Sequence, residues 1–263
     1  MKRMWLLLIA LLVLSGCGKK DDAQWFVSQR YIEFETGDTN LITYTYDDQW
    51  RELGSQTLLN GEYASSVTYT YSEDGTIMTT TTDSAIYDPE VTEVHRTFDE
   101  KGNIIQTITY YNGKLHSTAE MTYDEQGREI LRLGTDAQSG ITMKVSHTYD
   151  GNGNVLTYRI DNGFYESRRE YTYDSKGRLT SETVFQGDQM TGSITYTHTG
   201  NVCKGSWCDG QGKSLRQVVN TYDDYGNLLI EESYDMAGNL QSRYHLVYVS
   251  SVGRTSGEIP NVS

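Results

Sequence analysis

One short turn, repeated along most of the chain, constrains the fold more than any other feature of the sequence. At residues 173–179 it reads Y-D-S-K-G-R-L. Its opening aromatic recurs at Tyr46, Tyr71, Phe98, Tyr123, Tyr149, Tyr173 and Tyr222, with His198 as a degenerate copy. Successive spacings are 25, 27, 25, 26, 24, 25 and 24 residues. A fixed period of this length points to a repeat architecture, in which one supersecondary unit stacks on the next.

Each position of the turn has a physical reason. The residue after the aromatic is Asp47, Asp99, Asp124, Asp150, Asp174 or Asp223, and Ser72 in one copy. An Asp there accepts backbone N–H groups from the residues ahead of it and closes a local turn. Gly75, Gly102, Gly127, Gly153, Gly177 and Gly226 follow three residues later, where a positive φ is needed, and the first copy has Trp50 instead. Ahead of the turn the pattern has period two, as in Tyr171, Thr172, Tyr173 or Val67, Tyr69, Tyr71, the signature of a strand with unlike faces. Midway through each unit lies a second turn. Asn60-Gly61, Asn112-Gly113 and Asn162-Gly163 are strong hairpin signals, and Asp88-Pro89, 136–140, Gly187-Asp188, 210–212 and 236–239 fill equivalent places. These features predict an all-β chain: sequential antiparallel hairpins, about sixteen strands on a repeat of about 25 residues, forming a coiled or partly closed sheet strip. Twenty-one Tyr stand in for scarce aliphatics, and no segment after the N-terminus keeps a helical period.

The units Y-D-S-K-G-R-L, Y-D-G-N-G-N-V, F-D-E-K-G-N-I and Y-D-D-Y-G-N-L resemble the YD repeats of RHS-type proteins over residues 41–249. The resemblance implies a long antiparallel strip that coils. In large relatives such a strip encloses a toxic C-terminal domain, and related repeats are linked to carbohydrate binding. This chain has no toxin-like segment after residue 250, so a cocoon and its catalytic residues do not carry over. The hairpin repeats of MORN type are a more distant comparison, because their glycine–aromatic spacing differs.

The start of the chain has a separate character. Lys2 and Arg3 precede an apolar run from Met4 to Leu14, too short to span a bilayer comfortably, and Leu14-Ser15-Gly16-Cys17 follows. The last four residues resemble the lipobox of bacterial lipoproteins, which implies acylation of the Cys17 thiol and removal of the residues before it. The expected organisation is a signal peptide with its helix at 1–16, a lipidated tether at 17–23, a capping half-unit at 24–40 whose aromatics cover the first sheet edge, repeats at 41–249 and a flexible tail at 250–263. The expected location is extracytoplasmic, anchored to the cell envelope by lipid.

The formal charge is −14, or −16 without Lys2 and Arg3, and this argues against nucleic acid as a partner. With Cys17 acylated, Cys203 and Cys208 remain as the candidates for a disulfide, formed only if residues 204–207 bend into a loop. On an unbroken strand their odd separation places them on opposite faces. The five His are scattered over different units, and no metal or other cofactor is expected. Asp150-x-Asn152-x-Asn154 resembles half a calcium loop but lacks a downstream Glu, and Gly212-Lys213-Ser214 lacks the first glycine of a P-loop. Nothing here makes a catalytic constellation. The expected function is a non-enzymatic binding or scaffold lipoprotein for an envelope glycan, another extracellular polymer or a protein. The alternative is an immunity or accessory lipoprotein of a secreted toxin system. Outward tyrosines would make a ligand surface, inward ones a covered face, and the sequence leaves both open.

Overall fold

The computed structural model describes residues 24–253 and 255–257. The expected signal helix and the lipidation site Cys17 lie outside the described residues. The strands run β1 Trp25–Phe34, β2 Thr39–Tyr46, β3 Glu52–Leu59, β4 Glu62–Tyr71, β5 Ile77–Ser84 and β6 Glu90–Phe98. They continue as β7 Ile104–Tyr111, β8 Lys114–Tyr123, β9 Glu129–Asp136, β10 Thr142–Tyr149, β11 Val155–Asp161 and β12 Glu166–Tyr173. The last are β13 Leu179–Gln186, β14 Gln189–Thr199, β15 Val202–Asp209, β16 Ser214–Tyr222, β17 Leu228–Tyr234, β18 Leu240–Ser250 and the two-residue β19 Thr255–Ser256.

Each strand pairs antiparallel with the next, and β1 also pairs with β18, from Trp25 opposite Ser250 to Phe34 opposite Ser242. The result is a closed up-and-down barrel of eighteen strands, with β19 added beside the end of β18. The expectation of about sixteen strands in a coiled or partly closed strip is corrected on both points. Within 24–40, expected to cap the first sheet edge, β1 covers the β2 edge and hydrogen-bonds on its other side to β18, closing the ring. Closure leaves no long unpaired edge to recruit other chains. At the other end, Tyr248 pairs with Ser256 and Val249 with Thr255, so part of the expected tail is tied to the wall.

The repeat turns all fall at one rim, the Asp-turn rim, and the mid-unit turns at the far rim. At 174–178 the backbone N–H of Asp174 donates to the Arg178 carbonyl at 2.9 Å, and the Gly177 N–H donates back to the Asp174 carbonyl at 3.0 Å. Asp174 Oδ1 accepts the N–H groups of Lys176 and Arg178, and Oδ2 accepts Arg178 Nε at 2.8 Å. Asp99, Asp124, Asp150 and Asp223 repeat this with Asn103, Arg128, Asn154 and Asn227. Gly102, Gly127, Gly153 and Gly226 take positive φ as the turn requires. The same device appears in two mid-unit turns, at Asp209 and Asp235, whose kinship with the repeat turn the sequence reading did not draw. Asn60-Gly61 and Asn112-Gly113 are two-residue turns with positive φ at both positions. Asn162-Gly163 instead opens a longer loop through Tyr165.

A β-bulge follows most of the Asp turns, for example between Thr172 and Tyr173 opposite β13. It shifts the in–out phase of the next strand by one residue. With the bulges counted, one continuous face carries Met121, Val145, Tyr171, Ile194, Leu246 and Tyr248, all buried, and this face lines the lumen. The alternate residues form the outer wall. They are mostly polar and exposed, as at Thr70, Glu120, Thr148, Thr172 and Lys204, with apolar members such as Val91 and Leu133, and are laced by hydroxyl pairs such as Thr148–Thr157 at 2.7 Å. An exception lies at the closing seam, where Tyr31 is buried opposite Leu41 and His245. The repeat aromatics therefore face inward.

Candidate lumenal binding site

The inward tyrosines are built into the wall by a second use of their hydroxyls. Tyr46, Tyr71, Tyr123, Tyr149 and Tyr173 donate to the carbonyls of Val27, Glu52, Ile104, Glu129 and Val155, each 2.7–2.8 Å away and one unit back. His198, the degenerate copy, does the same with Nε2 at 2.7 Å from the Leu179 carbonyl. The ring of aromatics thus ties most units to the one before, Phe98 having no hydroxyl to give, and lines the mouth of the barrel at the Asp-turn rim.

At the closing seam this ring opens into a pocket of about 350 Å³ lined by Trp25, Phe26, Val27, Arg30, Tyr44, Tyr46, Glu52 and Leu246. Strand β1 supplies the first four, β2 the tyrosines, β3 Glu52 and β18 Leu246. Phe26 stacks on Trp50 with centroids 4.9 Å apart and lies 5.4 Å from Tyr46, while Trp25 lies 5.1 Å from Tyr225. Trp50 has φ 61° at the turn position that six other copies give to Gly. That conformation costs an L-residue about 1–2 kcal/mol, and a backbone cost held at a ligand-sized cleft marks a functional candidate. Arg30 lies over the Tyr244 ring at 4.8 Å. Burial raises the pKa of the Glu52 carboxyl and pushes the Tyr46 hydroxyl up to about 12. Burial also raises Tyr44, against the pull of Arg30. The Trp25 Nε1 is buried and has no hydrogen-bond partner among the described residues.

Further round the lumen lies a second polar cluster. Glu182 is 5% exposed and takes a 2.8 Å ion pair from Arg169. Its pKa is nevertheless raised, because desolvation outweighs the guanidinium. Glu231 is raised for the same reason against Arg30 and Arg216, and Arg216 stacks at 4.0 Å on Trp207. Ring faces, guanidinium donors and carboxylate acceptors thus meet inside, while the outer wall offers mostly short hydroxyls together with surface ion pairs such as Arg159–Glu166 and Arg243–Glu232. Such a surface can hold a ligand with both apolar faces and hydroxyl edges.

The residues singled out from sequence do not converge on this site. The aspartates and glycines of the repeat turns stand on the rim, and each Asp carboxylate is satisfied by its own turn, the Asp150 half-loop included. Cys203 and Cys208 are both free thiols. They lie on β15, an unbroken strand, opposite His198 and Ser193 in the pairing with β14, so their odd separation turns them to opposite faces. Arg30, Glu52, Arg169, Glu182 and Glu231 were not singled out. For Glu182 and Glu231 the signal, a charge in the inward phase of a strand, is hidden by the bulges that reset that phase, whereas Arg169 keeps the phase of Tyr171 and Tyr173 and was legible by alternation.

The family model for the Teneurin YD-shell matches residues 24–245. No curated protein sequence matches the chain. Among solved structures, a porin-like protein from Bacteroides uniformis is similar at 12% identity and a TM-score of 0.46, over 84% of this chain and 96% of that one. The periplasmic gluconolactonase PpgL of Pseudomonas aeruginosa is similar at 11% identity and a TM-score of 0.15, over 82% and 85%. Neither likeness is close enough to inform function. The family model spans most of the described residues, from the first strand to the last long one, and the chain belongs to the Teneurin YD-shell family.

Proposed function

We propose that this protein is a non-enzymatic carbohydrate-binding lipoprotein of the cell envelope, held by lipid on Cys17 and taking part of a glycan into the seam pocket. The observation that supports this best is the composition of that pocket: Trp25, Phe26 and Tyr46 provide ring faces beside Arg30 and Glu52. A sugar ring has the matching chemistry, apolar C–H faces and a girdle of hydroxyls that donate and accept. The polar outer wall supports a barrel bathed in water, since a transmembrane barrel turns an apolar band to lipid. The test is a glycan array with the chain from residue 24 onward, followed by titration calorimetry on any hit. Saturable binding that falls at least about tenfold in Trp25→Ala and Glu52→Gln, with the fold intact, supports the reading. An array without hits, or hits indifferent to both substitutions, ends it.

A further inference from the structure

The two rims of the barrel differ in chemistry. Among the described residues nine turns stand at the far rim, and each has a large exposed apolar side chain in it or within two residues of it, from Phe34 at the first to Met236 at the last. The most prominent are Phe164 at 87% exposure, Ile86 at 81% and Tyr87 at 73%. By the same measure five turns of the Asp-turn rim carry one, through Leu53, Phe98 with Ile105, Leu156, Tyr225 and Val252, at 37–40% exposure except for Val252 at 60%. Nothing in the fold demands apolar tips: the Asp turns at 124–128 and 174–178 close with polar residues alone. Single exposed apolars are ordinary, but one at or near each of nine successive turns, with Phe164, Ile86 and Tyr87 at 73–87% exposure, sets this rim apart.

Charge and chain direction indicate what this rim meets. Acidic residues such as Glu62, Asp88 and Glu90 flank the tips, whereas the basic residues in these turns and the positions abutting them are Lys114 and Lys213. An acidic ring repels anionic lipid and repels a second copy of itself set rim to rim. Trp25 opens β1 at the opposite, Asp-turn rim. From Cys17 the seven residues of the tether reach about 25 Å at full stretch, about the height of the wall itself. On the lipoprotein reading, on which this step rests, the anchoring membrane therefore lies at the Asp-turn rim and the far rim points away from it. We propose that the far rim is a docking surface for a partner protein that presents basic and apolar side chains together.

The experiment uses the chain from residue 24 onward, so its outcome does not depend on the anchor or on glycan binding. The probe is a synthetic amphipathic helix of leucine and lysine, followed by fluorescence anisotropy. A lysine peptide of equal charge without leucine serves as control. The triple variant Ile86→Ser, Tyr87→Ser, Phe164→Ser changes exposed tips only and should melt like the parent. It should lose at least about tenfold in affinity for the amphipathic probe, with the control peptide unaffected, and Tyr225→Ser with Val252→Ser should bind as the parent does. The proposal is overturned if the triple variant binds the probe unchanged. It is equally overturned if the three residues prove to drive binding to phosphatidylcholine or phosphatidylglycerol vesicles. Sedimentation of the parent as a dimer that the triple variant dissolves would overturn it as well.

Discussion

The Tyr173 hydroxyl donates to the Val155 carbonyl at 2.8 Å, across the lumenal face from one repeat to the one before. The contact exists because of the bulge at the preceding turn: Val155 pairs with Tyr149 where the ladder shifts register. Such a bulge disrupts the ladder locally, and the next tyrosine supplies a donor to the carbonyl there. Replacing Tyr173 by Phe should cost about 1 kcal/mol, since the ring stays and only the donor is lost. Tyr149→Phe should cost a similar amount through the Glu129 carbonyl. Equilibrium urea denaturation checks both, and no change in midpoint for either would show that the ladder does not depend on these hydroxyls.

Strand β1 is what turns a strip into a barrel. It pairs with β2 from Gln29 to Glu33 and with β18 along nearly its whole length. A chain beginning at Asp38 keeps every repeat yet leaves β2 and β18 with unpaired edges. Such edges recruit other chains, so this shortened form should run as soluble oligomers or aggregates in light-scattering chromatography. A monomeric, fully folded product would mean that the ring closes without β1.

Trp50 carries two opposed effects. Its left-handed backbone costs about 1–2 kcal/mol, and its stacking on Phe26 returns about 0.5–1.5 kcal/mol. Trp50→Gly removes both, so stability should stay within about 1 kcal/mol of the parent. Binding at the adjacent pocket should weaken, because Phe26 loses the ring that holds it in place. A loss of more than about 2 kcal/mol would make Trp50 a structural residue and remove the reason to link its strain to a ligand.

The two thiols should separate kinetically. Cys203 is 2% exposed, and burial pushes its thiol up to about 11; Cys208 is half-buried on the other face. In the chain from residue 24, an aromatic disulfide reagent should modify Cys208 promptly and Cys203 only on unfolding. Equal rates, or no free thiol at all, would contradict the placement of β15.

What the sequence made legible was whatever repeats in one dimension. The Tyr-Asp-x-x-Gly turn follows from Asp accepting nearby N–H groups and Gly supplying positive φ, and both are local. His198 could be recognised as a stand-in for tyrosine because its place in the period is fixed. Closure was not legible, since it depends on whether Trp25 meets Ser250, a pairing across more than two hundred residues with no periodic mark. The lumenal carboxylates Glu182 and Glu231 escaped for a related reason. Glu182 lies past the bulge at 180, where counting alternate residues from Tyr173 puts it on the wrong face. The apolar tips of the far rim were hidden too, because they sit at different offsets in differently shaped turns.

Acid titration should expose two populations of carboxylates with opposite signs. Asp74, Asp99, Asp150 and Asp174 are held low by hydrogen bonds from their own turns, Asp74 and Asp174 at about 2. For these the unfolded chain binds protons more readily, so their stabilisation is present above about pH 4 and is lost as pH falls toward 2. Glu52, Glu182 and Glu231 are raised by burial, so the folded state binds protons more readily. Their ionisation works against the fold at neutral pH, and stability grows as pH falls toward their raised values. The melting temperature should therefore hold or rise from pH 7 to about 5 and fall steeply below about 4. Glu182→Gln should flatten the rise between pH 7 and 5 while leaving the acid limb in place, because its amide cannot take up the proton. Scanning calorimetry across this range decides it: a melting temperature that drops steadily from pH 7 downward, identical in parent and variant, would place Glu182 in water and not in the lumen wall.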